Sequence, residues 1–340
     1  MTVAEIGLGL QSDKRPGDYA RLARLAERHG FDVLSVFGDL MYQPPLPALL
    51  EMAAATRRVR LGPACLNPYS LAPYEIAGQI AALDLASAGR AYLGLARGTW
   101  LGAVGLDRPR PLTALAEAAE VVYRLLGGDD RGYEGEMFRL DPGTRLRYAV
   151  HRPRPPLLLG TWGPKGAALA GRVADEIKVG GSANPAMVPV VRERVAAGAA
   201  EAGRDTGQVG IVLGAVTVVD TDGAAARDRA RTEVAMYLAV VAELDPTAHV
   251  PPDLVTRVRE LVAQGRDREA GALIPGDVLD LFAFSGTPEQ VAAQAQALID
   301  AGVRRVEFGT PHGLTDDRGV HLLATAVLPL LDRSPARRVR

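Results

Sequence analysis

The feature that most constrains the fold is a regular alternation of short apolar runs with longer amphipathic stretches along the chain. The apolar runs predict eight strands, at residues 4–10, 32–37, 59–66, 91–95, 156–160, 176–179, 209–219 and 303–308. A helix is predicted after each strand; in residues 18–30, Tyr19, Leu22 and Ala26 recur at helical spacing. Eight such units predict an α/β fold, a (β/α)8 TIM barrel with insertions. A doubly wound sheet is the alternative, but no glycine fingerprint follows the first strand.

Two segments interrupt this alternation. Residues 127–155 are rich in glycine, proline and arginine, and residues 133–140 predict a small hairpin. Residues 224–281 read as an additional helical segment with a proline-rich break at 245–252. Because neither segment shows a strong core of its own, we predict one domain over residues 1–335 with two insertions.

Composition excludes several classes of protein. The 340 residues carry a net charge of −1, so no basic surface for nucleic acid or acidic membranes is expected. One cysteine excludes an intramolecular disulfide framework, and the five histidines lack metal-ligand spacing, so no metal is expected. There is no apolar run of about 18 residues and no signal-peptide pattern near residue 1. We therefore expect a cytoplasmic protein that acts on a small molecule and binds neither nucleic acid nor membrane.

The loops that follow the strands hold the residues with candidate chemistry, because functional groups of a parallel barrel lie at the carboxyl ends of its strands. Glycines at many of these ends favour a large flat ligand with a phosphate, although short turns also favour glycine. Asp39 is the only acidic residue in these segments before Glu307. It is interpreted either as a carboxylate that handles a proton or orients a ring nitrogen, or as a helix cap or turn residue. His312 could be a general acid or a loop hydrogen-bonding group. Cys65 has no evident histidine partner, which disfavours a nucleophile.

Four segments carry a resemblance to a known family. Residues 79–90, Gln-Ile-Ala-Ala-Leu-Asp-Leu-Ala-Ser-Ala-Gly-Arg, lead into Tyr-Leu-Gly-Leu-Ala-Arg-Gly at 92–98. Residues 61–70, 157–175 and 285–313 agree with the same pattern. Together they resemble the bacterial luciferase-like superfamily, and within it the methylenetetrahydromethanopterin reductase-type enzymes that use the deazaflavin coenzyme F420.

The resemblance implies a set of site residues. It places a non-prolyl cis peptide bond at Ala64–Cys65, behind the deazaflavin ring, and Asp39 beside the active face. Asp84 and Arg90 are expected to form a structural pair. The expected coenzyme-binding residues are Asp39, Ala64, Cys65, Asn67, Ala96, Arg97, Gly98, Thr99, Thr161, Trp162, Gly163, Gly180 and Gly181.

Three departures from the family pattern shape the expected activity. Reductases of this type have a glutamate where this chain has Gly9 and an acid where it has Thr99, and related dehydrogenases have a histidine where it has Leu40. We therefore expect a homodimeric F420-dependent reductase that transfers hydride to an activated C=C or C=N bond, with Asp39 as the catalytic acid. The alternatives are an FMN-dependent monooxygenase and a non-catalytic binding protein on the same barrel.

Overall fold

A computed structural model describes residues 3–334 and contains eleven strands within that range. They are β1 Glu5–Leu10, β2 Val33–Val36, β3 Arg60–Pro63, β4 Leu93–Ala96, β5 Tyr133–Glu134, β6 Arg139–Leu140, β7 Leu157–Gly160, β8 Glu176–Gly180, β9 Gly210–Val219, β10 Ala283–Gly286 and β11 Arg305–His312. Eight of them form one parallel sheet in the order β3-β2-β1-β11-β9-β8-β7-β4. These eight coincide with the eight predicted strands.

The sheet closes into a barrel between its two end strands. Leu61 bridges to Ala91 and Leu66 bridges to Leu95, so the β3 segment meets the β4 segment. Closure removes the exposed edges that an open doubly wound sheet would have. The predicted (β/α)8 barrel is confirmed.

Helices surround the barrel and begin where prolines set the backbone for a first turn. Pro45, Pro73, Pro111, Pro164 and Pro288 each occupy the first helical turn, where their missing N–H leaves no intrahelical bond unmade. No helix between residues 3 and 334 is both long and apolar enough to span a lipid bilayer. The helices are α1 Asp18–Arg28, α2 Pro45–Ala55, α3 Pro73–Ala86, α4 Pro111–Gly127, α5 Pro164–Val173, α6 Met187–Glu201, α7 Gly223–Ala235, α8 Leu238–Leu244, α9 Pro252–Ala263, α10 Asp267–Ala272, α11 Gly276–Phe282, α12 Pro288–Asp300 and α13 Asp316–Leu322.

The last part of the chain differs from the prediction in two respects. Strand β11 continues to His312, four residues beyond its predicted end, because His312 still pairs with Val218 of β9 after a bulge. The final helix, predicted at 320–331, begins at Asp316 and ends in a π-helical turn and a 3-10 turn. Glu307 lies within the strand, as predicted, and the residues from Gly309 to His312 that were predicted to form a loop continue it.

The segment predicted at 224–281 has a buried core of its own, which corrects the expectation that it has none. Helices α7 to α11 enclose an apolar cluster that includes Val234, Leu238, Leu279 and Phe282. The cluster reaches Val218 of β9 and so joins the segment to the barrel. The short strand β10, which the sequence analysis missed, then pairs with the last four residues of β9.

A buried polar joint fastens this helical segment to the loop after β8. The amide of Asn184 donates to Asp245 Oδ2 at 2.9 Å and to Thr247 Oγ1 at 2.8 Å. The predicted domain limits, residues 1 and 335, lie outside the described residues, and the one-domain division stays a prediction.

The predicted hairpin at 133–140 is confirmed as the antiparallel pair β5 and β6. Glu117 of α4 holds its turn, because the carboxylate accepts backbone N–H bonds from Glu136, Met137 and Phe138 at 2.8, 2.9 and 3.1 Å. A carboxylate that is buried in this way needs such donors to replace its lost water.

The predicted pair of Asp84 and Arg90 is wrong. Asp84 is bound by Arg152, with Nε and Nη2 at 3.0 and 2.6 Å from its two oxygens. Arg90 instead donates to backbone carbonyls, including Val59 O at 2.7 Å. Arg152 comes from the loop before β7, sixty-eight residues away, and short-range sequence reasoning cannot find such a partner.

Candidate active site

A layer of ion pairs fills the amino end of the barrel. Arg60 Nη2 lies 2.6 Å from Glu5 Oε2 and 3.0 Å from Glu176 Oε1. Arg305, which is 0% exposed, reaches Glu176 at 3.0 Å. Burial alone would raise the pKa of Glu176, but the charges of Arg305 and Arg60 hold it below its usual range. This end of the barrel is therefore closed by a charged layer.

A second polar layer lies one inward-facing step further along the strands. Ser35 Oγ donates to Glu307 Oε2 at 2.7 Å and lies 2.8 Å from Tyr92 Oη. Lys178 Nζ donates to the other oxygen of Glu307. Burial alone would raise the pKa of Glu307, but Lys178 and Arg305 hold it low, so the carboxylate is ionised.

The glycine at position 9 is explained by this layer. A Cβ on Gly9 would lie 2.6 Å from Cζ of Phe37 and 3.2 Å from Glu307 Oε1. The Phe37 ring therefore occupies the space that a side chain on β1 would need. Lys178 Nζ lies 5.0 Å from the centre of the same ring, within the range of a cation–π interaction.

Asp39 lies above this layer, in the loop that follows β2, and part of its surface is exposed. Burial of the carboxyl group raises its pKa, while Gln11 and the charge of Lys178 act in the opposite direction. The side chain makes no N-terminal cap, because α2 begins at Pro45 with Pro44 as its cap residue. Asp39 is therefore not a helix cap, but its backbone carbonyl accepts the N–H of Tyr42 at 3.3 Å, so it does lie in a turn.

The bond between Ala64 and Cys65 is cis, as the resemblance implies. Its neighbours come from the loop after β2 and from the end of β7: a Cβ on Gly38 would lie 2.4 Å from Cys65 O, and one on Gly160 would lie 3.0 Å from Cys65 Sγ. Burial raises the pKa of the Cys65 thiol to about 12, so it stays protonated near neutral pH. The thiol forms a wall of the site and does not serve as a nucleophile.

The loops after β3 and β4 lie against each other. Asn67 Oδ1 accepts the backbone N–H groups of Tyr69 and Ser70 at 3.1 and 2.9 Å and so holds the first loop. A Cβ on Gly98 would lie 3.1 Å from Asn67 Cγ. Of the other predicted residues there, Ala96 is half-buried, and Arg97 and Thr99 are exposed.

The loops after β7 and β8 are joined by Trp162. Its indole Nε1 donates to Gly180 O at 2.9 Å, and Arg194 donates to its backbone carbonyl at 3.0 Å. Gly163 is the residue before α5, as predicted, and the protein has open space beside the Cα atoms of Gly163 and Gly180. Thr161 and Gly181 flank the same opening.

The structure thus gathers the predicted residues of β2, β3, β4, β7 and β8 at one end of the barrel. His312 does not join them as a general acid: it is fully buried, and its Nε2 contacts Gly9 O at 3.0 Å. Gln11, which the sequence analysis missed, does join them, directly after β1. In the described part of the chain, no three His, Cys, Asp or Glu side chains lie close enough together to hold a metal ion.

Two observations test whether a large cofactor fits at this end. The buried amide of Gln11 lies beside the carboxyl group of Asp39 and lowers its pKa, so this end of the barrel has two polar side chains for a ligand to contact. The open space at Gly163 and Gly180 lies at the N-terminus of α5, where backbone N–H groups favour an anion. A flat ring with an anionic tail fits both features.

The fold is the (β/α)8 barrel of a class of enzymes that bind their ligands at the carboxyl ends of the strands. The chain belongs to the luciferase-like monooxygenase family, whose model matches residues 1–305.

Individual relatives are similar to the chain over nearly its full length. The chain is 29% identical to the 5,10-methylenetetrahydromethanopterin reductase of Archaeoglobus fulgidus, an alignment that covers 96% of this chain and 99% of the relative. It is also 29% identical to the F420-dependent glucose-6-phosphate dehydrogenase of Nakamurella multipartita, with 93% of each covered. The solved coenzyme F420-dependent tetrahydromethanopterin reductase of Methanopyrus kandleri superposes with a TM-score of 0.88 at 25% identity, covering 97% of this chain and 100% of that one.

Proposed function

We propose that this protein is a coenzyme F420-dependent oxidoreductase, a reductase that transfers hydride from reduced F420 to an activated C=C or C=N bond of a small molecule. The observation that carries the proposal is the placement of Asp39, the cis Ala64–Cys65 bond and the Trp162–Gly180 contact around one opening. Full-length similarity to both F420-dependent reductases and F420-dependent dehydrogenases supports the choice of coenzyme.

The parts of the site divide between binding and proton transfer. When bound, the coenzyme supplies the hydride, and the protein supplies orientation and the electrostatic environment. Ala64 and Cys65 form the wall behind the ring, and Gln11 offers a hydrogen-bond donor. Asp39 carries the proton for the centre that hydride addition leaves behind, and its raised pKa suits that role. Gly163 and Gly180 leave room for the anionic tail.

The expected assembly and location also belong to this proposal. We propose that the enzyme works in the cytoplasm as a homodimer, as the sequence analysis predicts. Sedimentation equilibrium of the purified chain measures the first point, and a monomer over the micromolar range would contradict it.

An FMN-dependent monooxygenase is the second candidate, and the family description favours it. Calorimetric titration with F420 and with FMN separates the two. We expect F420 to bind more tightly, and anaerobic oxidation of reduced F420 to proceed with an acceptor that has an activated double bond. Micromolar affinity for FMN without detectable binding of F420, together with oxygen consumption, would replace the proposal by the monooxygenase.

A further inference from the structure

The proposed proton transfer does not use the ion pair of Lys178 and Glu307, which belongs to the second polar layer inside the barrel. Glu307 is held from three directions: by Lys178, by Ser35 Oγ at 2.7 Å and by Arg305 Nε at 3.7 Å. Both side chains of the pair are more than nine-tenths buried. A buried ion pair of this kind seldom adds stability compared with apolar residues of similar size. An electrostatic role in the candidate active site would explain why the barrel contains this ion pair.

Lys178 lies on β8 two residues before Gly180, the last residue of that strand, and its ammonium group is paired with Glu307 on β11. The Phe37 ring, 5.0 Å from Lys178 Nζ, covers the ammonium group from the side of β1 and β2. The positive charge also acts on the two residues that flank the opening, since it lowers the pKa of both Asp39 and Cys65. These residues follow different strands, so the ammonium group lies close enough to affect both walls of the site.

The buried environment of Lys178 strengthens the electrostatic interactions of its ammonium group. Water is largely excluded from the layer around Lys178, and an interaction between charges is stronger in such a medium than in water. The compensating negative charge is fixed on Glu307 by its other partners and cannot move toward the opening. The charged and titratable groups that interact with Lys178 are Glu307 on β11, Asp39 after β2 and Cys65 after β3. Arg305 and Tyr92 interact with Glu307, and Glu176 lies two residues earlier on β8.

We infer that Lys178 is a positioning residue that stabilises the anionic form of the deazaflavin ring bound above it, with Glu307 setting the strength of this effect. The inference rests on the proposed coenzyme. The ring of this coenzyme carries an acidic hydroxyl group, and its conjugated system spreads the negative charge that ionisation creates. A fixed cation beneath the Ala64–Cys65 wall stabilises that charge whichever substrate the enzyme uses.

The test is a spectroscopic pH titration of the bound coenzyme, without substrate or turnover. We compare the wild type with Lys178→Met and Glu307→Gln. Loss of the cation should raise the pKa of the bound ring by about one unit, since a nearby opposite charge has effects of this size. Loss of the anion should lower it. Arg139→Met, which removes an exposed charge on the hairpin, should leave it unchanged.

Affinity gives a second readout. Lys178→Met should weaken binding of the ionised coenzyme about tenfold, the equivalent of one pKa unit, and leave binding of the neutral form unchanged. A merely structural role for Lys178 would weaken both forms alike.

A double variant distinguishes the effect of the lost charge from the effect of misfolding. Lys178→Met alone leaves Glu307 buried with less compensation, so the double variant Lys178→Met/Glu307→Gln removes both charges and keeps the layer neutral. Its ring pKa should lie between those of the wild type and Lys178→Met. Binding of F420 with the same ring pKa in the wild type and the folded variants would overturn this inference alone. Absence of F420 binding to the wild type would overturn the proposed function and this inference with it.

Discussion

Glu307 and Asp39 are carboxylates of the same barrel, and their surroundings shift their pKa values in opposite directions. Glu307 is enclosed by Lys178, Ser35 and Arg305, which hold its pKa low. Asp39, at the opening, is crowded by protein but has fewer compensating groups, so its pKa is raised. The difference follows from the partners: the carboxylate with three partners is held in its ionised form, and the pKa of the one with fewer partners is shifted toward neutral pH.

The largest expected effect is on turnover. Asp39→Asn keeps the size of the side chain and removes the proton, so turnover should fall by roughly 10²–10⁴-fold while coenzyme affinity changes little. Steady-state kinetics with reduced F420 and calorimetry on the same variant measure both quantities. A stable, fully active Asp39→Asn protein would remove Asp39 from the chemistry.

The opposite pattern is expected deeper in the barrel. Arg305→Met leaves Glu176 and Glu307 with fewer cations and should lower the free energy of unfolding by about 3–5 kcal/mol. Turnover per folded molecule should change far less. Arg304→Met, on the neighbouring and more exposed side chain, is the matched control and should alter stability by no more than about 0.5 kcal/mol. Equal losses in the two variants, by denaturant unfolding, would contradict the distinction between buried and exposed charge.

A methyl group added at two glycines sharpens the same comparison. Gly9→Ala would place its Cβ 2.6 Å from the Phe37 ring and should destabilise the protein by about 1–3 kcal/mol. Gly180→Ala meets no protein atom within 4 Å, so its stability should stay near that of the wild type while coenzyme affinity falls. Thermal unfolding and calorimetry test the pair. Unchanged affinity in Gly180→Ala would place the coenzyme elsewhere.

The smallest expected effect is on the pH dependence of the free energy of unfolding. Because Glu307 and Glu176 have lowered pKa values, the stability they contribute is present above their usual value of 4.5 and is lost as the pH falls through the folded-state values. Asp39 has a raised pKa, so its contribution is present below its usual value of 3.8 and is lost as the pH rises. Near neutral pH, Asp39→Asn should therefore stabilise the protein slightly, by no more than about 0.5 kcal/mol. The prediction would be wrong if Asp39→Asn destabilised the protein at neutral pH and did not change its stability in acid.

The sequence predicts the barrel well because buried parallel strands are short apolar runs between amphipathic helices. It misses β10, since Ala-Phe-Ser-Gly is short and directly follows a helix. It also ends β11 too early, because Thr-Pro-His-Gly is typical of a turn. In both places, pairing with β9 outweighs the local preference.

Only those residues of the candidate site that lie within a single loop could be predicted from the sequence. Asp39, the cis bond and Gly163 follow from positions after strands or from the resemblance. The polar layers could not be found in this way, although a signal exists: Glu176 with Lys178, and Arg305 with Glu307, are charges two residues apart in apolar strands. Such spacing puts both side chains on one face of a strand. Partners on four different strands are known only once the barrel closes.

The attachment of helices α7 to α11 bears on how this protein could change over evolution or be redesigned. The segment leaves the barrel after Val219 and returns at Ala283, which pairs with Val216 in a parallel strand, so its two ends lie on neighbouring strands, roughly 10 Å apart along the strand direction. Because the barrel strands hold both ends in place, a change in the length of the segment alters the loop-closure entropy only slowly. The barrel strands and the helical segment can thus vary separately, and the segment can change in shape while the carboxylates of the barrel stay in place.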